Sequence, residues 1–471
     1  MKSLFRFLAL VALSLPLLSK GQLNVSIYRN DALFNNFRMY EGDSIAHSVE
    51  TDSTYMVIND FIAGQTKVPL SAIDSLVIHA TDIPVLRIAF PDYPEATSLW
   101  EKELYLDAVL SIEGNGYTED MDSLSLQIKG RGNSTWGMPK KPMRLKFPKK
   151  ISICGFKKAK SYVLLNNYID PSMMKNPLAM WLAKRLGVPY ANTMVPCHVF
   201  INGSYAGAYT LTEKVGINSG SVDIDEERGM LFEISAEFDE KYKFRSNIWE
   251  LPVMVKDPDF DELYDDNPES PSPDERLKLW EDDFNRAEQL VEDGKCADAF
   301  DIETAVNYFL MAHFVWCGDV WIPKSVYVHK ESLEEEEKYK FGPAWDYDAT
   351  FNLLKPTEDG FAYNPPDEPF AVPYMFKKII DSEEFQSRYS ERLKEFEEEI
   401  VPEFLEFFDE YARLIEPSAK LNGLRWNQEH DLGWTKAVPS FDREKWVRLL
   451  REWIIERVQY IKTAPIYGPM E

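Results

Sequence analysis

Three short segments carry residue types that are costly to bury and specific in their chemistry. The first is Lys129-Gly-Arg-Gly-Asn-Ser-Thr-Trp136, followed by Lys140, Lys141, Arg144 and Lys146. A glycine-containing turn with exposed backbone N–H groups and a basic strand behind it suits an anion such as phosphate. It is also what a tight hairpin with a solvated basic face looks like. The second is Gly342-Pro-Ala-Trp-Asp-Tyr-Asp-Ala-Thr-Phe351, with Asp346 and Asp348 two residues apart among aromatic side chains. At a strand end such a pair brackets a hard divalent cation, because Mg²⁺ takes one or two carboxylates plus phosphate oxygens and water. Otherwise the two aspartates cap a loop. The third is Asp319 in Trp316-Cys-Gly-Asp-Val-Trp-Ile-Pro-Lys324, after the apolar helix expected over Ala305–Val315. It is either a helix cap or a buried acid.

Strands and helices must position these residues. Val85–Phe90, Leu124–Ile128 and Met143–Phe147 read as strands. Asn176 can cap a helix with Pro177 at its first position and Gly187 past its end, presenting Leu178, Trp181, Leu182 and Leu186 on one face. Pro196–Ile201 and Ala208–Thr212 form a hairpin around Asn202-Gly203, a two-residue turn signal. The β-rich part thus runs from about 85 to 255. Asp257–Asp274 is acidic and proline-rich and reads as an exposed loop. Beyond it the chain turns helical. Phe385, Tyr389, Leu393, Phe396 and Ile400 recur at helical spacing, and Ser440 can cap a last helix carrying Trp446, Leu450, Trp453, Ile454, Val458 and Ile461. These stripes are core. Ahead of everything, residues 22–83 form a small β module, with strands at Leu23–Tyr28, Tyr55–Ile58 and Val68–Ile78.

The chain has 471 residues, 45% hydrophobic and 13% aromatic, which excludes wholesale disorder and fibrous rods. There are 52 Lys plus Arg against 78 Asp plus Glu, a formal charge of −26. Such a surface repels phosphate backbones and anionic lipid, so nucleic acid is not an expected partner. Residues 1–21 read as a secretory leader: Lys2 and Arg6, an apolar run over Phe7–Leu18, then Ser19 and Gly21 before a cut ahead of Gln22. That run is shorter than the roughly 20 residues a bilayer requires, and no second run of spanning length follows. The protein is expected to be exported, and then periplasmic, secreted or at the cell surface. Cys154, Cys197, Cys296 and Cys317 are too scattered for a disulfide scaffold or a zinc site and read as small buried residues.

The interval from Asp319 to Asp346 holds one expected hairpin, Ser325–Lys330 with Lys338–Gly342. An acid, a hairpin and then a metal-binding aspartate is the order in which a kinase carries its base and its metal ligand. With that order, four segments together resemble the CotH family, spore-coat protein kinases with an atypical protein-kinase-like fold. They are Lys129–Trp136 with Lys141-Pro-Met-Arg-Leu-Lys-Phe147, Leu165-Asn-Asn-Tyr-Ile-Asp-Pro-Ser-Met-Met-Lys-Asn176, Val199–Glu213, and Trp345–Phe351. The resemblance runs from about 85 to 460.

It implies an α+β, bilobal fold over 84–465: a β-rich N-lobe to about 255, the acidic connector about 257–274, and a helix-rich C-lobe about 275–465. It also implies ATP and Mg²⁺ (or Mn²⁺) as cofactors and an exported protein as substrate. Carried over residue by residue, Lys146 or Arg144 looks like the phosphate-pairing cation, with Arg131 and Lys141 lining the same basic site. Glu213 closes the last strand where a hinge would begin. Asp319 looks like the base that takes a hydroxyl proton, and Asp346 like the metal ligand, with Asp348 as an alternative or second ligand. The sequence departs from the family where an Asn tends to help hold metal, since Lys324 and Ser325 stand there. A lysine at that point either contacts phosphate as a point charge or abolishes metal binding.

Three functions follow. The first is an exported kinase transferring the ATP γ-phosphoryl group to Ser or Thr of an exported protein. The second is a non-catalytic surface or binding protein on a kinase-like scaffold, suggested by Lys324 and the β module. The third, a glycoside hydrolase, needs two carboxyl groups about 5–10 Å apart, and no pair in the sequence is singled out for it.

Overall fold

The computed structural model describes residues 23–29, 32–39, 44–50, 53–60, 64–73, 75–80, 83–170, 172–351, 367, 370–426, 443–464 and 466. The leader expected at 1–21 and Ser440, expected to cap the last helix, lie outside them. Within them the chain is α+β, the class expected.

The first strands pair in two small antiparallel sheets. β1 (Leu23–Arg29) lies between β2 (Ala32–Met39) and β6 (Ser75–Ala80), and β4 (Ser53–Asp60) between β3 (Ser44–Glu50) and β5 (Gly64–Pro69). The run Val68–Ile78, read above as one strand, is broken. Pro69 ends β5 and leads into a 3-10 turn at Leu70–Ala72, and a proline has no N–H with which to continue a ladder.

Seven further strands are β7 (Val85–Ala89), β8 (Leu106–Glu113), β9 (Met121–Gly130), β10 (Met143–Ile151), β11 (Ala159–Leu165), β12 (Val195–Ile201) and β13 (Ser204–Glu213). They close into a barrel in the order β10-β11-β13-β12-β7-β8-β9. Alternation sets their faces: on β10, Met143, Leu145 and Phe147 are buried while Lys146 is exposed. The turn between β12 and β13 has Asn202 at φ 46° and Gly203 at φ 79°, the two left-handed residues that the Asn-Gly signal calls for.

The helices are α1 (Lys175–Leu186), α2 (Phe260–Asp266), α3 (Pro273–Glu292), α4 (Cys296–Ala299), α5 (Ile302–Val315), α6 (Tyr374–Ile380), α7 (Glu383–Glu395), α8 (Val401–Arg425) and α9 (Arg443–Ile461). The segment 257–274, expected to be loop throughout, contains α2. Asp259 caps it by accepting from Asp261 N and Glu262 N, and Phe260 is buried, its ring 5.1 Å from that of Tyr242. After α7 a five-residue π-turn, Phe396–Ile400, shifts the helical phase. Phe385, Tyr389, Phe396 and Ile400 are buried as expected, but Arg392 takes the place expected of Leu393. It donates to Asn307 Oδ1 and to Leu186 O at 3.0 and 2.9 Å. The α9 stripe is buried in full, and so are the four cysteines.

The chain divides into two compact units. The first comprises Met1–Pro142, Pro196–Tyr209 and Leu414–Asn427, with Val85, Phe200, Tyr205 and Leu421 packed together in it. There the buried Lys140 donates to Ala208 O and, at 2.7 Å, to Asn422 Oδ1, and its ammonium lies 4.4 Å from the centroid of the Tyr209 ring. The second comprises Met143–Val195, Thr210–Arg413 and Gln428–Glu471. It holds an antiparallel sheet in the order β15-β16-β14-β17-β18, made by β14 (Met230–Ile234), β15 (Lys243–Arg245), β16 (Pro252–Asp257), β17 (Val326–Lys330) and β18 (Lys340–Phe341). β17 and β18 are the hairpin expected between Asp319 and Asp346.

Candidate active site

Within the second unit, two chain reversals carry the acids. Helix α5 stops at Trp316, which turns left-handed at φ 52°, and Asp319 follows in the 3-10 turn Gly318–Val320. The Lys324 N–H donates to Asp319 O at 2.7 Å and closes that turn. The second reversal leaves β18 through Gly342, at φ +132°. A Cβ there would lie 2.8 Å from Pro189 O, so only glycine fits. Asp346 then sits at φ +68°. The Phe351 N–H donates to Val315 O at 2.5 Å, which ties the segment after Asp348 to the end of α5 and so to the turn bearing Asp319.

The start of α1 fixes the same segment from another side. Asn176 does not cap α1; it lies in the first turn, and its Oδ1 accepts from Tyr347 N at 2.9 Å. The cap is supplied by Asp170. Its Oδ1 accepts from Ser172 N and Oγ at 3.0 and 2.6 Å, and its Oδ2 from Met174 N and Lys175 N at 2.9 Å each. A carboxylate at the N-terminus of a helix satisfies orphan donors and complements the helix dipole. Gly187, left-handed at φ 77°, ends the helix as expected.

These constraints bring Asp319, Asp346 and Asp348 into one electrostatic cluster. Burial, and then the charge on Asp346, push the Asp319 carboxyl up to about 6; Lys324 opposes the shift and Glu237 adds to it. Asp348 is held well above the usual carboxylate range by burial, then by Asp346 and Asp319, with Lys175 pulling the other way. Lys324 forms an ion pair with Glu237 at 2.9 Å, and its own ammonium is favoured by Asp319 and Asp346 as well. Burial and then mutual repulsion raise the proton affinity of Asp319 and Asp348, and a divalent cation would offset that charge. Among the described residues no group of three or more His, Cys, Asp or Glu side chains is placed to hold a metal ion. An open two-carboxylate site completed by phosphate oxygens and water does not need one.

The basic residues expected to share the site fall in both compact units. Arg131 and Lys141 belong to the first unit, where Lys141 donates to Trp136 O at 2.8 Å and lies over the Trp136 ring. Arg144 and Lys146 belong to the second, on β10. Arg144 is half-buried, reaches Ser161 Oγ at 3.4 Å, and has a buried Nε with no hydrogen-bond partner; Lys146 is exposed. The Glu213 carboxylate is taken up by Thr193 N at 2.8 Å and by Asn192 Nδ2 at 3.4 Å, with burial pushing its pKa up. Lys324 acts on the charge of Asp319, and Lys175 on that of Asp348. Sequence reasoning passed over Lys175, although a lysine in the first turn of an apolar helix, against the dipole, is a signal in itself. Trp345, beside Asp346, joins an apolar cluster with Val163, Val215, Ile217, Val222, Leu231 and Tyr327.

A family model described as CotH kinase protein matches residues 128–461, well over half of the chain. The chain belongs to the CotH kinase family. The CotH match takes in every acid and cation of the cluster and leaves the two N-terminal sheets outside it. No curated protein matches the chain. Among the described residues no helix is long and apolar enough to cross a membrane.

Proposed function

We propose that this CotH-family chain transfers the γ-phosphoryl group of ATP to a Ser or Thr hydroxyl of an exported protein, with Mg²⁺ or Mn²⁺. The observation that carries the reading is the convergence of Asp319 on Asp346 and Asp348 in one partly buried cluster. Asp319, raised to about 6, is ionised at neutral pH yet more basic than an ordinary carboxylate, which suits a group that accepts the hydroxyl proton. Asp346 and Asp348 would hold the metal. Bound Mg²⁺ would supply charge neutralisation on the transferring phosphates. Phosphoryl transfer needs mostly positioning, and the bonds Tyr347 N to Asn176 Oδ1 and Phe351 N to Val315 O supply it for the acids. With this goes an export leader at 1–21, activity in the periplasm, at the cell surface or after secretion, and a two-lobed kinase-like organisation over 84–465.

The test is calorimetric titration with ATP, with and without Mg²⁺ or Mn²⁺, beside transfer of labelled γ-phosphate. Asp346→Ala should lose metal-dependent binding. Asp319→Asn should keep binding and lose transfer by about 10²-fold or more. Unchanged transfer in either variant removes the assignment. Lys324, paired with Glu237 where the family carries a metal-holding Asn, favours a second reading, a non-catalytic binding protein. Metal-dependent ATP binding that Asp346→Ala abolishes would reject it.

A further inference from the structure

Lys175 is 3% exposed, at the first position of α1. Burial disfavours its ammonium, and so does the positive end of the helix dipole. Its backbone N–H is bonded to Asp170 Oδ2. Its side chain makes no hydrogen bond to the protein among the described residues, and the charges that act on it are those of Asp170 and then Asp348. Asp170 is already committed: four donors from Ser172, Met174 and Lys175 itself occupy both its oxygens. An ammonium with three donors and no hydrogen bond to the protein among the described residues, at the end of a buried side chain beside the acid cluster, is free to donate to an anionic acceptor. Its position is set, because the adjacent Asn176 is bonded to Tyr347, between Asp346 and Asp348.

We infer that Lys175 is the phosphate-binding cation of this site, donating to an oxygen of a nucleoside polyphosphate beside Asp348. It takes the part that the sequence suggested for Arg144 or Lys146. The inference rests on the nucleotide reading above. A lysine acts on phosphate as a compact point charge and needs no bidentate geometry, so one buried ammonium at a helix start suffices. The ligand must bring its own cation as well, since Lys175 leaves the acid cluster with an excess of negative charge.

Calorimetry with the full-length protein separates the possibilities, using Mg²⁺ with ATP, ADP, adenosine and inorganic phosphate in turn. Lys175→Met should bind adenosine as the wild type does and lose about tenfold or more in affinity for ATP and ADP, with Lys175→Arg recovering part of it. Inorganic phosphate competing with ATP in the wild type and not in Lys175→Met would support the same contact. If wild type binds ATP with Mg²⁺ and Lys175→Met binds it equally well, the inference fails and the kinase reading stands. If wild type binds no nucleotide under any metal, both fail. A loss of adenosine and ATP binding in equal measure would mark Lys175 as merely structural and overturn the inference. Should Lys175→Met not fold, an acyl-phosphate derivative of ATP, which transfers its acyl group to a lysine amine beside the phosphates and releases the nucleotide, decides the matter on wild type. Acylation at Lys175 supports the contact, and acylation confined to other lysines removes it.

Discussion

The His329 ring is buried on β17, and its Nδ1 lies 2.9 Å from Gly342 O, so Nδ1 carries the proton and donates. Burial holds the ring pKa down to about 4, against an ordinary value near 6.5. Between those values the unfolded chain binds more protons than the folded one, so stability rises with pH across that window. The His329 contribution is therefore complete above about 6.5 and is lost as pH falls toward about 4, on the order of 3 kcal/mol in all. Denaturant titrations of wild type and His329→Gln at several pH values should show the gap between them shrinking as the medium is acidified; a constant gap would refute it. At this scale the site was half legible. Asp319, Asp346 and Asp348 stand in sequence as acids with nothing apolar to explain them. Lys175 stands there as one more surface-type residue, and only the fold shows that it is buried and that its neighbour Asp170 is spent on backbone donors.

Helix α1 is the element on which the site depends. Its first turn is held by Asp170 rather than by the residue that looked like a cap, and that frees Asn176 to hold Tyr347. Asp170→Ala would leave its four donors without their acceptor at a buried helix start, at a cost of about 2–3 kcal/mol. Chemical denaturation checks that figure, and a change below about 0.5 kcal/mol would show that solvent or a neighbour takes over the cap. Strands whose apolar residues alternate, such as β10, and the Asn202-Gly203 turn were readable because the signal is local. Asn176 was misread because capping donors can be satisfied from outside the helix, here by the Asp170 carboxylate, four residues before Met174 and five before Lys175. The acidic run at 257–274 was misread because one buried phenylalanine and one capping aspartate outweigh a composition that favours loop.

Across the whole molecule, the closure of β7–β13 into a barrel was not visible at all, since it depends on pairings between strands distant in sequence, such as β12 running parallel to β7. Net charge, by contrast, was readable directly and has a measurable effect. At −26 the chain repels an anionic nucleotide at long range. Raising ionic strength from about 0.01 to about 0.1 M shortens the screening length from about 30 to about 10 Å. ATP should then associate faster, the reverse of what a basic nucleotide-binding protein shows. Stopped-flow association rates in that range test it, and slower association at higher salt would mean that the local field of Lys175 and Lys324 governs the encounter.

Asp319, Asp346 and Asp348 repel one another across a partly buried space, and that repulsion is a standing cost of the folded state. Any substitution that makes one of them neutral relieves it. Neutralising Asp319 or Asp348 is thus downhill in folding free energy wherever this repulsion outweighs the attraction those acids give Lys324 and Lys175. Wherever it does, a scaffold of this kind can grow sturdier by giving up a charge, and the fold can outlast the cluster it carries.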